Sequence, residues 1–95
     1  MILVVATVRV HNGKEAEYEA AVAAIMPQVR AANPGILFYH AARSRDDAST
    51  YRVIEAYADQ AAMDAHIGSE MLQQSLAGLY PLIADIDIKL HDSVS

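Results

Sequence analysis

An α+β domain of the ferredoxin-like type, with element order βαββαβ, is what this chain predicts, and three observations carry the prediction. Runs rich in β-branched and aromatic residues recur along the 95 residues. Two intervening segments instead place apolar residues at helical spacings of three and four, and polar stretches bearing Gly, Pro, Asn or Asp separate them. Strands and helical regions in this order fold most simply as a four-stranded antiparallel sheet with the helices on one face.

Ile2–Val10 is apolar and β-branched and ends at His11-Asn12-Gly13, which is turn chemistry, so it is the first strand. Lys14–Ala32 follows as a helix, because Tyr18, Val22, Ile25, Val29 and Ala32 make one stripe and its many alanines favour helix. Pro27 lacks an N–H and crowds the carbonyl of Ala23, which predicts a kink or break there. Asn33-Pro34-Gly35 stops the helix. Ile36–Arg43 and Tyr51–Tyr57 are strands joined by the polar Ser44–Ser49, and hence an antiparallel hairpin. Asp59 is placed to cap a second helix that points Met63 and Ile67 inward. Gly68-Ser69 then breaks and recaps it, so that Met71, Leu72, Leu76 and Leu79 add further turns up to Pro81. Leu82–Leu90 alternates, with Ala84, Ile86, Ile88 and Leu90 on one face and Asp85, Asp87 and Lys89 on the other, as suits an edge strand.

Composition narrows the functions open to such a fold. With 54% apolar residues the chain makes one domain, residues 1–95, near the size at which a single core becomes thin. Seven Lys and Arg against twelve Asp and Glu leave a net charge of −5 with no basic stripe, which argues against nucleic acid. The absence of cysteine excludes disulfides, thiolate nucleophiles, iron–sulfur clusters and thiolate zinc sites, and fits a reducing compartment. Arg9 interrupts the N-terminal apolar run well short of the roughly 20 residues that span a bilayer, so a cytoplasmic protein without a membrane partner is expected. Both faces of the first strand are apolar, with Ile2, Val4, Ala6 and Val8 on one and Leu3, Val5 and Thr7 on the other. Helices can cover only one side, so a homodimer packed through the second face is expected.

Few residues are equipped for chemistry. His66 lies about 60° round its helix from Met63, bordering the buried stripe, where a neutral imidazole can take a proton near pH 7 or simply fill the helix–sheet junction. Glu55 lies mid-strand, between Val53 and Tyr57 on one face. It either orients His66 or a tyrosine from a buried position, or pairs with Arg43 or Arg52 on a solvated face. Tyr39, Tyr51 and Tyr57 offer flat surface and phenol groups for an aromatic substrate, or else plain core. His11, His40 and His91 have no ligand spacing and read as surface residues. No Gly-x-Gly-x-x-Gly, Walker or Gly-x-Ser-x-Gly motif occurs.

Four motifs, spread in order over most of the chain, carry a resemblance. They are His11-Asn12-Gly13-Lys14-Glu15, Asn33-Pro34-Gly35-Ile36-Leu37-Phe38-Tyr39, Tyr51-Arg52-Val53-Ile54-Glu55-Ala56-Tyr57-Ala58-Asp59, and Ala62-Met63-Asp64-Ala65-His66. Together they resemble the antibiotic biosynthesis monooxygenase family of dimeric α+β barrels, which includes quinol oxygenases that need no cofactor. The resemblance implies a homodimer that oxidises a small aromatic quinol or polyphenol with O₂ and carries no cofactor and no metal. It gives His66 the role of base, Glu55 that of its orienter, and Tyr39, Tyr51 and Tyr57 those of substrate-binding walls. Tyr57 stands where the family usually has Trp, and Met71 where a second His is common. Haem-degrading relatives use an Asn on the first strand with a Trp and a His, and neither that Asn nor any Trp is present. An isomerase of a small hydroxyketone and a non-catalytic dimeric ligand-binding module remain the alternatives.

Overall fold

The computed structural model describes residues 1–95. Its elements are β1 (Ile2–Val10), α1 (Glu15–Ala32), β2 (Ile36–Arg43), β3 (Thr50–Tyr57), α2 (Gln60–Ile67), α3 (Glu70–Leu79) and β4 (Ile83–Asp92), with a 3-10 turn at Tyr80–Leu82. The strands form one antiparallel sheet in the order β2-β3-β1-β4. Element order and sheet are those the sequence predicts.

Local chemistry accounts for the boundaries. Gly13 takes φ +90° in the turn between β1 and α1, a conformation that costs glycine little. The Asp59 carboxylate accepts from the Ala62 N–H at 2.9 Å to start α2, and the Ser69 hydroxyl accepts from the Leu72 N–H at 3.2 Å to start α3. Helix α1 runs continuously through Pro27, so the break, one of the two outcomes expected there, does not occur. Pro27 and Ala23 are both exposed, so water can serve the Ala23 carbonyl, while Val22, Met26 and Val29 anchor the opposite side of the helix.

Register decides which residues share a face. Val4, Ala6 and Val8 stand opposite Glu55, Val53 and Tyr51 on β3, and opposite Leu90, Ile88 and Ile86 on β4. This face lies beneath the helices. Ala6, Val8, Val10, Tyr18, Val22, Met26, Val29 and Leu79 belong to the main core, and Met63 joins Val4 and Tyr57 in a smaller one. On the other face Val5 pairs with Ile54 and Leu3 with Ala56, and Phe38 and Ile54 are 47% and 38% exposed. No helix is long and apolar enough to cross a membrane.

One irregularity shapes the site. The β2–β3 register shifts between Ile36 and Phe38, so that Ile36 faces Tyr57, Phe38 faces Ala56 and Tyr39 faces Glu55. Leu37 is the extra residue of this bulge and is 59% exposed. Strict alternation would put Ile36 and Tyr39 on opposite faces. The bulge brings both to the helix side, a known use of bulges beside functional sites.

Candidate active site

Between the helices and the sheet lies a cavity of about 170 Å³, lined by 20 residues of which 18 are hydrophobic. Glu55 and His66 are the two exceptions. The floor comes from β1 and β3, one wall from α1, and the opposite side from α3 together with Ile86, Ile88 and Leu90 of β4. Ile86, Ile88 and Leu90 are 38%, 54% and 56% exposed, so the apolar face of β4 forms the mouth of the cavity.

His66 and Glu55 reach each other from different elements. His66 projects inward from α2 and is 2% exposed, with Nε2 3.7 Å from Glu55 Oε1. Its Nδ1 is buried with no hydrogen-bond partner. Tyr57 donates its hydroxyl to the same Glu55 oxygen through a short hydrogen bond. The rings of Tyr39 and Tyr57 lie 5.4 and 5.9 Å from the imidazole, Tyr39 edge-on. Imidazole, carboxylate and two phenols therefore form one cluster in an apolar wall.

Burial governs the electrostatics of this cluster. It lowers the pKa of His66 below the ordinary 6.5, because an apolar wall disfavours the imidazolium. It also raises Glu55 above 4.5, although the Tyr57 hydrogen bond opposes the rise by stabilising the carboxylate. Tyr39 and Tyr57 are pushed well above the usual phenol range, first by burial and then by the neighbouring Glu55. Both therefore remain hydrogen-bond donors at neutral pH. The imidazole stays unprotonated, with a carboxylate beside it ready to stabilise a proton that arrives.

Other candidates are placed elsewhere. Tyr51 is 2% exposed but does not line the cavity. Its ring packs 4.7 Å from that of Tyr18, and its hydroxyl donates at 2.6 Å to Glu19, which also accepts from Arg43 at 2.8 Å. Burial, with Glu19 adding to it, pushes the Tyr51 pKa up to about 12. Arg43 is thus engaged by Glu19 and Arg52 is exposed, which leaves Tyr57 and His66 as the partners of Glu55. His11, His40 and His91 are exposed, as is Met71 at 38%.

Tyr18, Ile25 and Met26 of α1 and Leu72 and Leu76 of α3 line the cavity as well. Their apolar stripes read in the sequence as core. Tyr18 carried the one available signal, since a phenol in an otherwise aliphatic stripe must place its hydroxyl somewhere.

The sequence profile of the antibiotic biosynthesis monooxygenase family matches residues 1–77. A crystal structure from Caulobacter crescentus CB15 that carries the same family name is similar at TM-score 0.93 and 34% identity, over 99% of this chain and 90% of that one. A structure from Deinococcus radiodurans under that name aligns at TM-score 0.90 and 18% identity, over 100% and 94% of the two chains. A point mutant of SnoaB, a cofactor-independent oxygenase from Streptomyces nogalater, shares the fold at TM-score 0.86 and 22% identity, over 99% and 93%. No curated protein matches the chain in sequence. The profile match over most of the chain and the Caulobacter likeness show that this protein belongs to the antibiotic biosynthesis monooxygenase family.

Proposed function

We propose that this chain is a cofactor-independent monooxygenase that oxidises a small aromatic quinol with O₂. The observation that carries this reading is the linked set His66, Glu55 and Tyr57 in the wall of an otherwise apolar cavity. A cavity of ~150 Å³ lined by apolar side chains takes benzene, so the 170 Å³ here suits a single ring better than a fused polycycle.

The chemistry follows from those groups. His66 accepts the proton of the quinol hydroxyl on its imidazole, whose Nε2 lies 3.7 Å from Glu55. The imidazolium so formed rests against the carboxylate, which Tyr57 holds in place. The electron-rich quinolate passes one electron to O₂, and the radical pair recombines at a ring carbon inside the dry cavity. Loss of water from the resulting hydroperoxide leaves a hydroxyquinone. One oxygen atom of O₂ enters the ring, the other leaves as water, and the organic molecule supplies all four electrons. The name of the SnoaB structure supports this kind of reaction for the fold.

Oxygen uptake with hydroquinone, followed by product spectra, tests the proposal. One O₂ consumed per hydroxyquinone formed is the expected result. Binding without uptake would assign the cavity to a ligand-binding module, and turnover of a hydroxyketone instead would assign it to an isomerase.

The active unit we propose is a homodimer, joined through the sheet face away from the helices. Leu3, Val5, Phe38 and Ile54 give that face its apolar centre. Sedimentation at micromolar concentration should show a dimer, and Val5→Asp should weaken it, because the new carboxylate, opposite Ile54 and Lys89, would lose its water at an otherwise apolar interface. A monomeric wild-type protein sinks this assignment.

A further inference from the structure

Four tyrosines surround the helix–sheet space, and their hydroxyls divide into two kinds. Those of Tyr51 and Tyr57 donate to Glu19 and Glu55. Those of Tyr18 and Tyr39 make no hydrogen bond within the protein, although the residues are only 2% and 7% exposed and both line the cavity. Buried phenols ordinarily find an acceptor. Neither oxygen is sealed, since His66 Nδ1 is the one buried side-chain polar atom without a partner, so both hydroxyls are open to an acceptor that enters with a ligand.

Their position says which part of the ligand this is. Tyr18 enters from α1 and packs on Tyr51, which lies four residues from Glu55 along β3, roughly 13 Å at ordinary strand rise. Tyr18 therefore belongs to the far end of the cavity from His66 and Glu55, whereas Tyr39, opposite Glu55 and 5.4 Å from the imidazole, belongs to the near end. We propose that Tyr18 is a substrate-binding residue whose hydroxyl holds the ligand oxygen remote from His66. The proposal rests on the quinol reading above and deepens it. The ligand is a ring with oxygens at opposite positions, one deprotonated at His66 and the other accepting from Tyr18. No Lys or Arg lines the cavity, so the remote oxygen belongs to a hydroxyl or carbonyl rather than to a carboxylate or phosphate. Burial raises the pKa of Tyr18 and that of Tyr39, which keeps both protonated as donors.

Anaerobic calorimetry with hydroquinone, resorcinol and phenol tests the assignment without turnover. The wild-type protein should bind hydroquinone about tenfold tighter than the other two, the usual scale of one added hydrogen bond in a closed site. Tyr18→Phe should abolish that preference and leave phenol binding unchanged. Equal wild-type affinity for the three ligands overturns the proposal, as does a preference that survives in Tyr18→Phe. The wild-type series decides by itself should the variant not fold. Oxygen uptake under air separates the two readings. A Tyr18-dependent preference without uptake keeps Tyr18 as a binding residue and ends the oxygenase reading, whereas uptake with an unchanged KM in Tyr18→Phe does the reverse.

Discussion

Replacing His66 with alanine is expected to lower turnover of a reactive quinol by roughly 10²–10⁴, the usual contribution of a positioned general base, while the chain stays folded. Glu55→Gln should cost less, because it removes the carboxylate beside Nε2 but leaves the imidazole where α2 holds it. The pH profile gives an independent check. A protonated ring cannot accept a proton, and burial holds the His66 pKa below 6.5, so the acid limb of kcat/KM should lie below pH 6.5 and should be missing from the residual activity of His66→Ala. The same shift bears on stability. Below pH 6.5 the unfolded chain takes up a proton at this histidine that the folded chain resists, so His66 makes the fold less stable as pH falls through that range. Glu55 acts in the opposite sense. Its folded pKa is raised, so its contribution is full below about pH 4.5 and is lost as pH rises through the folded value. A competing account holds that a readily ionised quinol needs only a dry pocket. It predicts unchanged turnover in His66→Ala and a loss of binding when Tyr39 or Tyr57 is truncated. An unaltered rate for the histidine variant, with folding checked by circular dichroism, removes His66 from the mechanism.

What could be read before the structure was whatever local chemistry determines. The caps at Asp59 and Ser69, the turn at Gly13 and the alternation of β4 each depend on residues within a few positions of one another. The bulge at Leu37 was not legible. Ile36-Leu37-Phe38-Tyr39 is apolar throughout, so no alternation marks where the pairing slips, yet that slip carries Tyr39 into the cavity. Tyr51 and Tyr57 could not be told apart for a related reason. Both lie on the helix face of β3, and what separates them is position along the strand, which sets Tyr57 against Glu55 and His66 and Tyr51 against Tyr18 and Glu19. The apolar face of β4 was recognisable as such, but only the fold shows it to be a cavity mouth.

The same junction of sheet and helix yields the second large effect, at a residue far from any chemistry. Gly35→Ala is expected to destabilise the fold by about 1–3 kcal/mol, the range for overpacking, and to lower kcat by roughly 10²-fold, the cost of misplacing a catalytic group by about 1 Å. Gly35 does not adopt a positive φ, so space rather than backbone conformation requires glycine here. A Cβ at this position would lie 2.5 Å from the Ala62 Cβ, a contact that real side chains essentially never make. Neither methyl has a rotamer through which to escape. The Gly35 carbonyl also accepts from the Ala58 N–H at 3.1 Å, which ties the start of β2 to the segment leading into α2. Helix α2 must therefore move, and it carries His66 one turn beyond Ala62 on the same side. Any outward shift lengthens the 3.7 Å separation from Glu55, so kcat should fall more than KM rises. Rescue identifies the cause. In Gly35→Ala the added Cβ would meet the Ala62 Cα at an ordinary 3.5 Å, so a second change, Ala62→Gly, removes the clash. Glycine within a helix costs about 1 kcal/mol, so the double variant should recover turnover more fully than melting temperature. If Gly35→Ala lowers the melting temperature yet keeps its full kcat, the depth of α2 does not set the geometry of His66 and Glu55.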